Sequence, residues 1–371
     1  MTLVPAALIL CLSAFAAEPD PFAGVTESTA APVRSPQSWS MLRENFGFRK
    51  ELMSLFATSE HARPYSRQSV GFETLKKFST ETATKASFDL QGRFVRRVRF
   101  VPVQNDMEGM HREGWWFEYH NAYLDLYNAL DPVLSEEQQG RQVGRFNVRM
   151  GRFYAPFGLN LQTDTHGTIL QLSNEQNFGF ERDWYAGLWG SANDSVNYDA
   201  YYLAGSGYYP QWEGQKGLAA LRLSLANRFS SEYGLEGGVS GLTGERLVEH
   251  RPLATRRAGI DGRWRHGVPA GLFTGTAELS GGRDNAGVVT QLYQAEYLHH
   301  SRRWSIATQY RRFWKAGLGT DASVIGELSW YFRNDVGNSN LHWVKLSVER
   351  KQQASTAPRD AIVALQYYRY W

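Results

Sequence analysis

The chain contains a single cysteine, Cys11, in 371 residues. Cys11 lies in an apolar N-terminal stretch that ends in the small-residue pattern Ala14, Phe15, Ala16. This arrangement predicts a secretory signal peptide over residues 1–17, although no Lys or Arg precedes the apolar stretch. Without that segment the chain has no cysteine, which excludes disulfides, a thiol nucleophile and zinc sites built on cysteine pairs.

Long apolar runs and strong net charge are also missing. Beyond the N-terminal stretch, no apolar run approaches the roughly 20 residues that a transmembrane helix needs, which excludes a helical membrane protein. The 40 basic and 37 acidic residues give a formal net charge of +3. So small an excess does not indicate a nucleic-acid-binding protein.

Recognisable catalytic and ligand-binding patterns are absent as well. The nine histidines are scattered without the spacing of metal ligands, and no serine, histidine and acid form a known catalytic motif. No C-x-x-C-H haem motif occurs. We therefore expect no catalytic residues, no metal and no cofactor, and a protein that is not an enzyme.

What the sequence does contain is aromatic residues, at 14% of the chain, and 35 glycines. This abundance of Tyr and Trp is typical of the aromatic girdles of membrane barrels. The stretch AALRLSLANRF alternates Leu221, Leu223 and Leu225 with polar or small residues such as Arg222. Alternation of period two indicates a strand with one apolar and one polar face.

The same alternation recurs from Ser69 onwards, in segments of about ten to fourteen residues separated by turn-forming residues. We count about fifteen segments, and single-chain bacterial barrels usually have an even number of strands. We therefore predict an all-β fold, a transmembrane antiparallel β-barrel of about 16 strands over residues 69–371. The last segment, AIVALQYYRYW, ends on Trp371 and resembles the C-terminal assembly signal of outer-membrane barrel proteins.

Residues 18–68 show less of this alternation and are rich in Pro and Ser near their start. We predict a periplasmic extension there. The spacing of Trp39, Leu42, Phe46 and Leu52 is compatible with a short amphipathic helix. Two alternatives stay open for this segment, a tail outside the barrel and a plug inside its lumen.

The most distinctive sequence lies between Trp116 and Asn160, where WFEYHNAYLDLY is followed by GRFNVRMGRFYAPFGLN. These two stretches resemble the phosphate-selective porin family and its relatives among outer-membrane porins. The resemblance implies that the connection after Phe157, near residues 158–183, folds into the lumen and forms the constriction. This connection contains no lysine, unlike the loops of the family, which argues against phosphate selectivity.

Two sets of residues are candidates for the pore. The constriction loop contributes Asp164, His166, Asn174, Glu175 and Asn177. The phase of the strands predicts that these residues line the pore: Arg93, Arg97, Arg99, Arg222, Arg228, Arg311, Arg333, Lys345 and Glu327. These residues allow two interpretations. In the first, the arginines and lysines favour anions, because arginine binds carboxylate and phosphate groups and rings of Arg or Lys attract anions. In the second, the lumen carries charges of both signs and selects weakly. Both interpretations stay open.

These features predict an outer-membrane porin for passive diffusion of ions and small hydrophilic solutes, with anions favoured if the first interpretation holds. Outer-membrane lipid is expected around the barrel, and the resemblance implies a homotrimer. Two alternatives come from other classes. One is a barrel sheath that holds a partner, such as a multihaem cytochrome, across the outer membrane, and the other is an outer-membrane hydrolase.

Overall fold

The computed structural model describes residues 45–60, 64–79, 84–98, 114–129, 146–159, 170, 174–193, 195–225, 233–335, 340–352 and 360–371. The predicted signal peptide and the part of the predicted extension up to residue 44 lie outside the described residues. No helix in the described part of the chain is long and apolar enough to cross a membrane.

The described residues form a closed antiparallel barrel of sixteen strands, which confirms the predicted fold class. Each strand pairs with the next along the chain, and the last strand pairs with the first. The strands are β1 Phe46–Ser59, β2 Tyr65–Ser79, β3 Thr84–Val98, β4 Gly114–Leu126, β5 Asn147–Tyr154, β6 Arg182–Asn193, β7 Val196–Leu203, β8 Gly217–Leu225, β9 Tyr233–Val248, β10 Arg251–Val268, β11 Gly271–Arg283, β12 Gly287–His299, β13 Trp304–Lys315, β14 Gly319–Asp335, β15 Asn340–Gln352 and β16 Asp360–Tyr370. A short helix, α1 (Asn174–Phe178), lies between β5 and β6.

Along most strands, alternation separates an apolar outer face from a polar inner face. In β8, Leu221, Leu223 and Leu225 are 46%, 40% and 48% exposed on the outside. Arg222 and Ser224, between them, are half-buried and buried. Because successive side chains of a strand point to opposite faces, this pattern puts the leucines outside and the polar residues inside the barrel.

The barrel begins earlier in the chain than the sequence suggested. Strand β1 (Phe46–Ser59) and the start of β2 lie within residues 18–68, which were predicted to be an extension with a short helix. In β1, exposed Phe46, Phe48, Leu52 and Phe56 alternate with an inner face, so the period is two and not 3.6. Phe46 and Leu52 are six residues apart, which puts them on one face of a strand but about 120° apart around a helix, so the helix prediction was wrong for these residues.

The two ends of the barrel differ in their connections. We call the end where β1 starts and β16 finishes the terminal rim, and the other end the loop rim. Lys50 and Trp371 exchange backbone hydrogen bonds of 2.8 and 3.1 Å and close the terminal rim. Three of the four longest connections between strands, residues 99–113, 155–181 and 204–216, lie at the loop rim, and residues 127–146 lie at the terminal rim.

Candidate functional site

The connection between β5 and β6, residues 155–181, is here called the inward segment, and residues 155–159, 170 and 174–181 of it are described. Its two ends are held together, since Ala155 N donates to Glu181 O at 2.9 Å. Phe157 N then donates to Ala155 O at 2.8 Å, and Gly158 has a φ of +71°. Glycine tolerates this left-handed conformation, which turns the chain away from the line of β5.

The start of the inward segment is bonded to strands that follow much later in the sequence. Gly158 N donates to Ser240 Oγ of β9 at 3.0 Å. Leu159 N donates to Glu278 Oε1 of β11 at 3.1 Å. The described part of the segment therefore lies inside the barrel and reaches from β5 to the inner face of β9–β11.

Helix α1 makes further bonds to the same wall. Asn174 Nδ2 donates to Phe157 O at 2.8 Å, which folds the segment back on itself. Asn177 Nδ2 donates to Ser280 Oγ at 2.8 Å. The guanidinium of Arg257 donates to Asn177, with Nε at 2.8 Å from Oδ1 and Nη2 at 2.8 Å from the carbonyl oxygen. Asn177 is thus fixed by β10 and β11 together.

Aromatic packing holds the inward segment against one side of the lumen. Ring centroids lie 5.6 Å apart between Phe157 and Phe178, and 5.0 Å apart between Phe178 and Phe180. These rings belong to a buried cluster that includes inward-facing residues of β6–β9, namely Tyr185, Tyr201, Leu203, Leu218, Ala220 and Leu242. The packed cluster occupies this side of the barrel, so the described part of the inward segment narrows the lumen.

The structure places the predicted constriction residues as follows. Asn174 and Asn177 are buried in α1 and make the anchoring bonds described above. Glu175 lies on the same helix. Asp164 and His166 lie outside the described residues.

Most of the predicted pore-lining residues that are described face inward and form ion pairs across strands. The pairs are Arg93–Glu51 at 3.0 Å, Arg222–Asp261 at 2.6 Å, Arg311–Glu349 at 3.8 Å and Lys345–Glu327 at 3.0 Å. Arg97 shares the inner face of β3 with Arg93, and its guanidinium carbon lies 5.6 Å from the ring centroid of Trp116. Arg99 and Arg228 lie outside the described residues.

Arg333 does not line the pore, contrary to the prediction. The register of β14 against β15 shifts between Tyr331, which pairs with Trp343, and Arg333, which pairs with His342. Phe332 is the extra residue, and an extra residue reverses the alternation beyond it. His342 lies on the outer face next to buried Trp343, so the exposed Arg333 faces outward too.

Arg149 on β5 is a buried inward arginine that the sequence reading missed. Its Nε and Nη2 donate to the two carboxylate oxygens of Asp125 at 2.7 and 2.8 Å. The guanidinium carbon lies 4.7, 4.6 and 5.0 Å from the ring centroids of Tyr123, Phe153 and Trp189. Asn147 and Arg149 alternate with exposed Met150 in β5, so phasing this strand would have found the residue.

A second missed group lies where the inward segment meets β10. Arg246 Nη2 and Arg257 Nη2 approach the two oxygens of Asp284, at 3.3 and 3.0 Å. Thr255 Oγ1 also donates to Asp284, at 3.1 Å. Two guanidinium groups therefore share one carboxylate, which leaves the group of Arg246, Arg257 and Asp284 with a positive charge.

The wall of the barrel contains a gap beside β5, because β5 is short. Strand β4 pairs with β5 only from Ala122 to Leu126, so in the described strands the edge of residues 114–121 that faces β5 has no strand partner. Arg152 at the end of β5 covers part of this edge. Its Nη1 donates to the carbonyl oxygens of Tyr119 and His120 at 2.7 and 2.6 Å.

Tyr208, from the connection between β7 and β8, covers a further part of the edge. Its hydroxyl donates to Phe117 O at 3.0 Å and accepts from Tyr119 N at 3.0 Å. Burial raises the pKa of the Tyr208 hydroxyl to about 12, so the group keeps its donor proton at neutral pH. Asp183 positions this connection by accepting from Gly205 N and Gly207 N at 2.6 and 2.9 Å.

Removing the Tyr208 hydroxyl is expected to weaken the wall. In Tyr208→Phe, the Phe117 carbonyl and the Tyr119 amide each lose a partly buried hydrogen bond, and the free energy of unfolding should fall by about 1–3 kcal/mol. Urea unfolding of the refolded barrel in lipid vesicles measures the change. Tyr209→Phe is the matched control, since Tyr209 is exposed. Equal free energies of unfolding for the two variants would contradict a sealing role for Tyr208.

Among the described residues, no group of three or more His, Cys, Asp or Glu side chains could hold a metal ion. Comparison with known proteins finds no matching family model and no matching curated sequence.

Solved structures do match the fold. OprB of Pseudomonas putida aligns with a TM-score of 0.63 and 8% identity, over 90% of this chain and 96% of that chain. An anion-selective porin from Comamonas acidovorans aligns with a TM-score of 0.54 and 9% identity, over 88% and 99%. A trimer form of OmpT, an outer-membrane protein of Vibrio cholerae, aligns with a TM-score of 0.53 and 8% identity, over 88% and 99%.

Each of these proteins is similar to this chain in fold, at identities too low to carry over ligands or selectivity. The resemblance to the phosphate-selective porin family stays a prediction. The closed barrel of sixteen strands, with its polar lumen and inward segment, has the fold of porin-type outer-membrane barrels.

Proposed function

We propose that the protein is an outer-membrane porin that allows passive diffusion of small hydrophilic solutes. The observation that carries this proposal is the inward segment, which is bonded at Gly158, Leu159 and Asn177 to the inner face of β9 and β11 and narrows a charged lumen. A solute that enters such a lumen exchanges part of its hydration for polar side chains, which lowers the cost of crossing the membrane. Diffusion of this kind needs no catalytic group and no cofactor.

The proposal includes a weak preference for anions. The pairing of Arg93, Arg222, Arg311 and Lys345 with carboxylates limits the positive potential along the wall. The excess charge lies beside the inward segment, where Arg246 and Arg257 share Asp284. Because the potential at the narrow part of a pore weighs most on selectivity, this group sets the sign of the preference.

Single-channel recording of the purified, refolded protein in a planar bilayer tests the function. We expect a steady open conductance and, under a KCl gradient, a reversal potential displaced toward that of chloride. A correctly folded barrel without conductance would contradict the porin proposal and favour a sheath whose lumen is filled by a partner.

Charge variants beside the inward segment test the origin of the preference. Arg246→Gln should move the reversal potential toward that of potassium, because it removes the excess positive charge while Arg257 continues to pair with Asp284. Asp284→Asn should move it in the opposite direction. If the reversal potential moves in the same direction for both variants, or for neither, the assignment is contradicted. Arg350→Gln, on the outer face of β15, is the control and should leave the reversal potential unchanged.

We also propose that the barrel assembles as a homotrimer in outer-membrane lipid. The Vibrio cholerae barrel that shares the fold was solved in a trimer form. Chemical cross-linking of the folded protein, read on a denaturing gel, should give a ladder that ends at three chains. A ladder that stops at one chain would contradict the proposal.

A further inference from the structure

The outer face of β8–β11 carries a depression of about 510 Å³. Its outward-facing lining consists of Ala219, Leu221, Gly241, Thr243, Arg256, Ala258 and Gly281. Leu221, Gly241, Ala258 and Gly281 are register partners on successive strands, so they form one row across the sheet. The floor of the depression is therefore a line of small residues that runs across three strands.

Larger side chains border this floor on the side of the terminal rim. Val239, Ile260 and Leu279 form the next row of register partners and are 52%, 58% and 39% exposed. A Cβ added at Gly241 would meet no atom within 4 Å, so the space above the floor is open. The shape is a shallow apolar groove beside a ridge of branched side chains.

On the side of the loop rim, two arginines border the same groove. Arg256 of β10 and Arg283 of β11 are direct register partners, and both are exposed on the outer face. Like charges directly opposite each other on a sheet repel. Their neighbours in this row are Thr243 on β9 and Gly287 on β12, and neither carries a carboxylate.

The position of the pair in the barrel sets the kind of ligand. Arg283 is the last residue of β11 and is followed by the turn at residues 284–286, so the two charges lie at the loop rim. The apolar groove lies on the membrane side of them. A molecule that fits both parts has an anionic group at the membrane surface and an apolar chain below it.

We propose that Arg256, Arg283 and the adjoining groove bind a phosphorylated, acylated lipid of the outer leaflet. The phosphate lies between the two guanidinium groups, which bind phosphate oxygens through paired hydrogen bonds. An acyl chain lies on the floor of Gly241, Ala258 and Gly281. The bound phosphate attracts both guanidinium groups, which offsets the repulsion between Arg256 and Arg283.

This inference rests on the proposed function, because it requires the loop rim to face the outer leaflet. In outer-membrane barrels the longer loops are extracellular, and here three of the four longest connections between strands, residues 99–113, 155–181 and 204–216, are at the loop rim. The loop rim then meets the leaflet whose lipid anchors carry phosphorylated sugars and several acyl chains. Lipid A has both chemical features and is the probe of choice.

The test is a titration of the full-length mature protein, folded in detergent, with bisphosphorylated lipid A, followed by native mass spectrometry. The double variant Arg256→Gln/Arg283→Gln should bind about tenfold more weakly or worse, because two charge-assisted contacts are lost. The control is Arg96→Gln/Arg350→Gln. These arginines are also exposed on the outer face, but their register partners are not arginines. This control should bind as the unmodified protein does.

Two further measurements separate the phosphate from the acyl chain. Dephosphorylated lipid A should bind the unmodified protein as weakly as bisphosphorylated lipid A binds the double variant. Ala258→Leu fills the groove, so it should weaken binding of lipid A while both arginines are kept. Equal lipid binding by the double variant, Ala258→Leu and the unmodified protein would overturn the proposal.

A change in oligomeric state without a change in lipid binding would also overturn it, because this face would then be a contact between copies of the chain. Single-channel conductance is recorded for the same samples. The double variant should conduct as the unmodified protein does. A protein that binds lipid A at this site but does not conduct would refute the porin proposal alone, so the two failures are distinguishable.

Discussion

Replacing Arg149 by leucine is expected to lower the free energy of unfolding by about 3–5 kcal/mol, because the carboxylate of Asp125 would be left buried without its partner. Asp125 is 2% exposed and takes both of its short bonds from Arg149. The rings of Tyr123, Phe153 and Trp189 around the guanidinium would lose their cation at the same time. Urea unfolding of the barrel in lipid vesicles measures the loss.

The double variant Arg149→Leu/Asp125→Leu separates an unpaired charge from a defect of packing. Replacing both partners of a buried ion pair by apolar residues is often nearly neutral, so the double variant should regain most of the lost stability. If the double variant unfolds as easily as the single variant, shape and not charge explains the loss. If Arg149→Leu itself unfolds like the unmodified protein, the pair does not stabilise the barrel.

Replacing Ile260 by arginine is expected to impair insertion and to lower stability by about 2–4 kcal/mol, the cost of a cation on the lipid-facing side near the middle of a bilayer. Ile260 lies in the middle of β10 and is 58% exposed on the outer face. Folding into vesicles, followed by the shift in gel mobility between folded and heated protein, measures insertion.

Position along the strand provides the control for Ile260. Arg256 is on the same face of the same strand but lies nearer the loop rim. Because the cost of a cation falls to about 0–1 kcal/mol near the membrane surface, the native arginine is tolerated there. Ile260→Leu keeps the apolar character and should insert normally. Normal insertion of Ile260→Arg would show that this face does not contact lipid.

The faces of the strands could be predicted from the sequence because side-chain alternation is a local property of extended backbone. In β8 the assignment of Leu221, Leu223 and Leu225 to the outside and of Arg222 to the inside agrees with the structure. The same rule failed for Arg333, since the extra residue at Phe332 reverses the phase. A bulge of this kind depends on the register between two strands and leaves no clear signal in one of them.

The anchoring of the inward segment could not be predicted residue by residue. Pro156 and Gly158 mark the end of β5 in the sequence, and the family resemblance suggested the direction of the connection. The partners of Gly158, Leu159 and Asn177 are 82, 119 and 103 residues further along the chain. Contacts so distant in sequence follow from closure of the barrel.

The sequence by itself determined the class of fold, the inner and outer faces of most strands and the polar character of the lumen, since these depend on the steric preferences and hydrophobicity of neighbouring residues. Only the tertiary structure decided which charges meet. Arg149 with Asp125, the sharing of Asp284 by Arg246 and Arg257, and the sealing of the β4 edge by Tyr208 all depend on strand register and barrel closure. Register is set by hydrogen bonding between whole strands, so no single segment contains it.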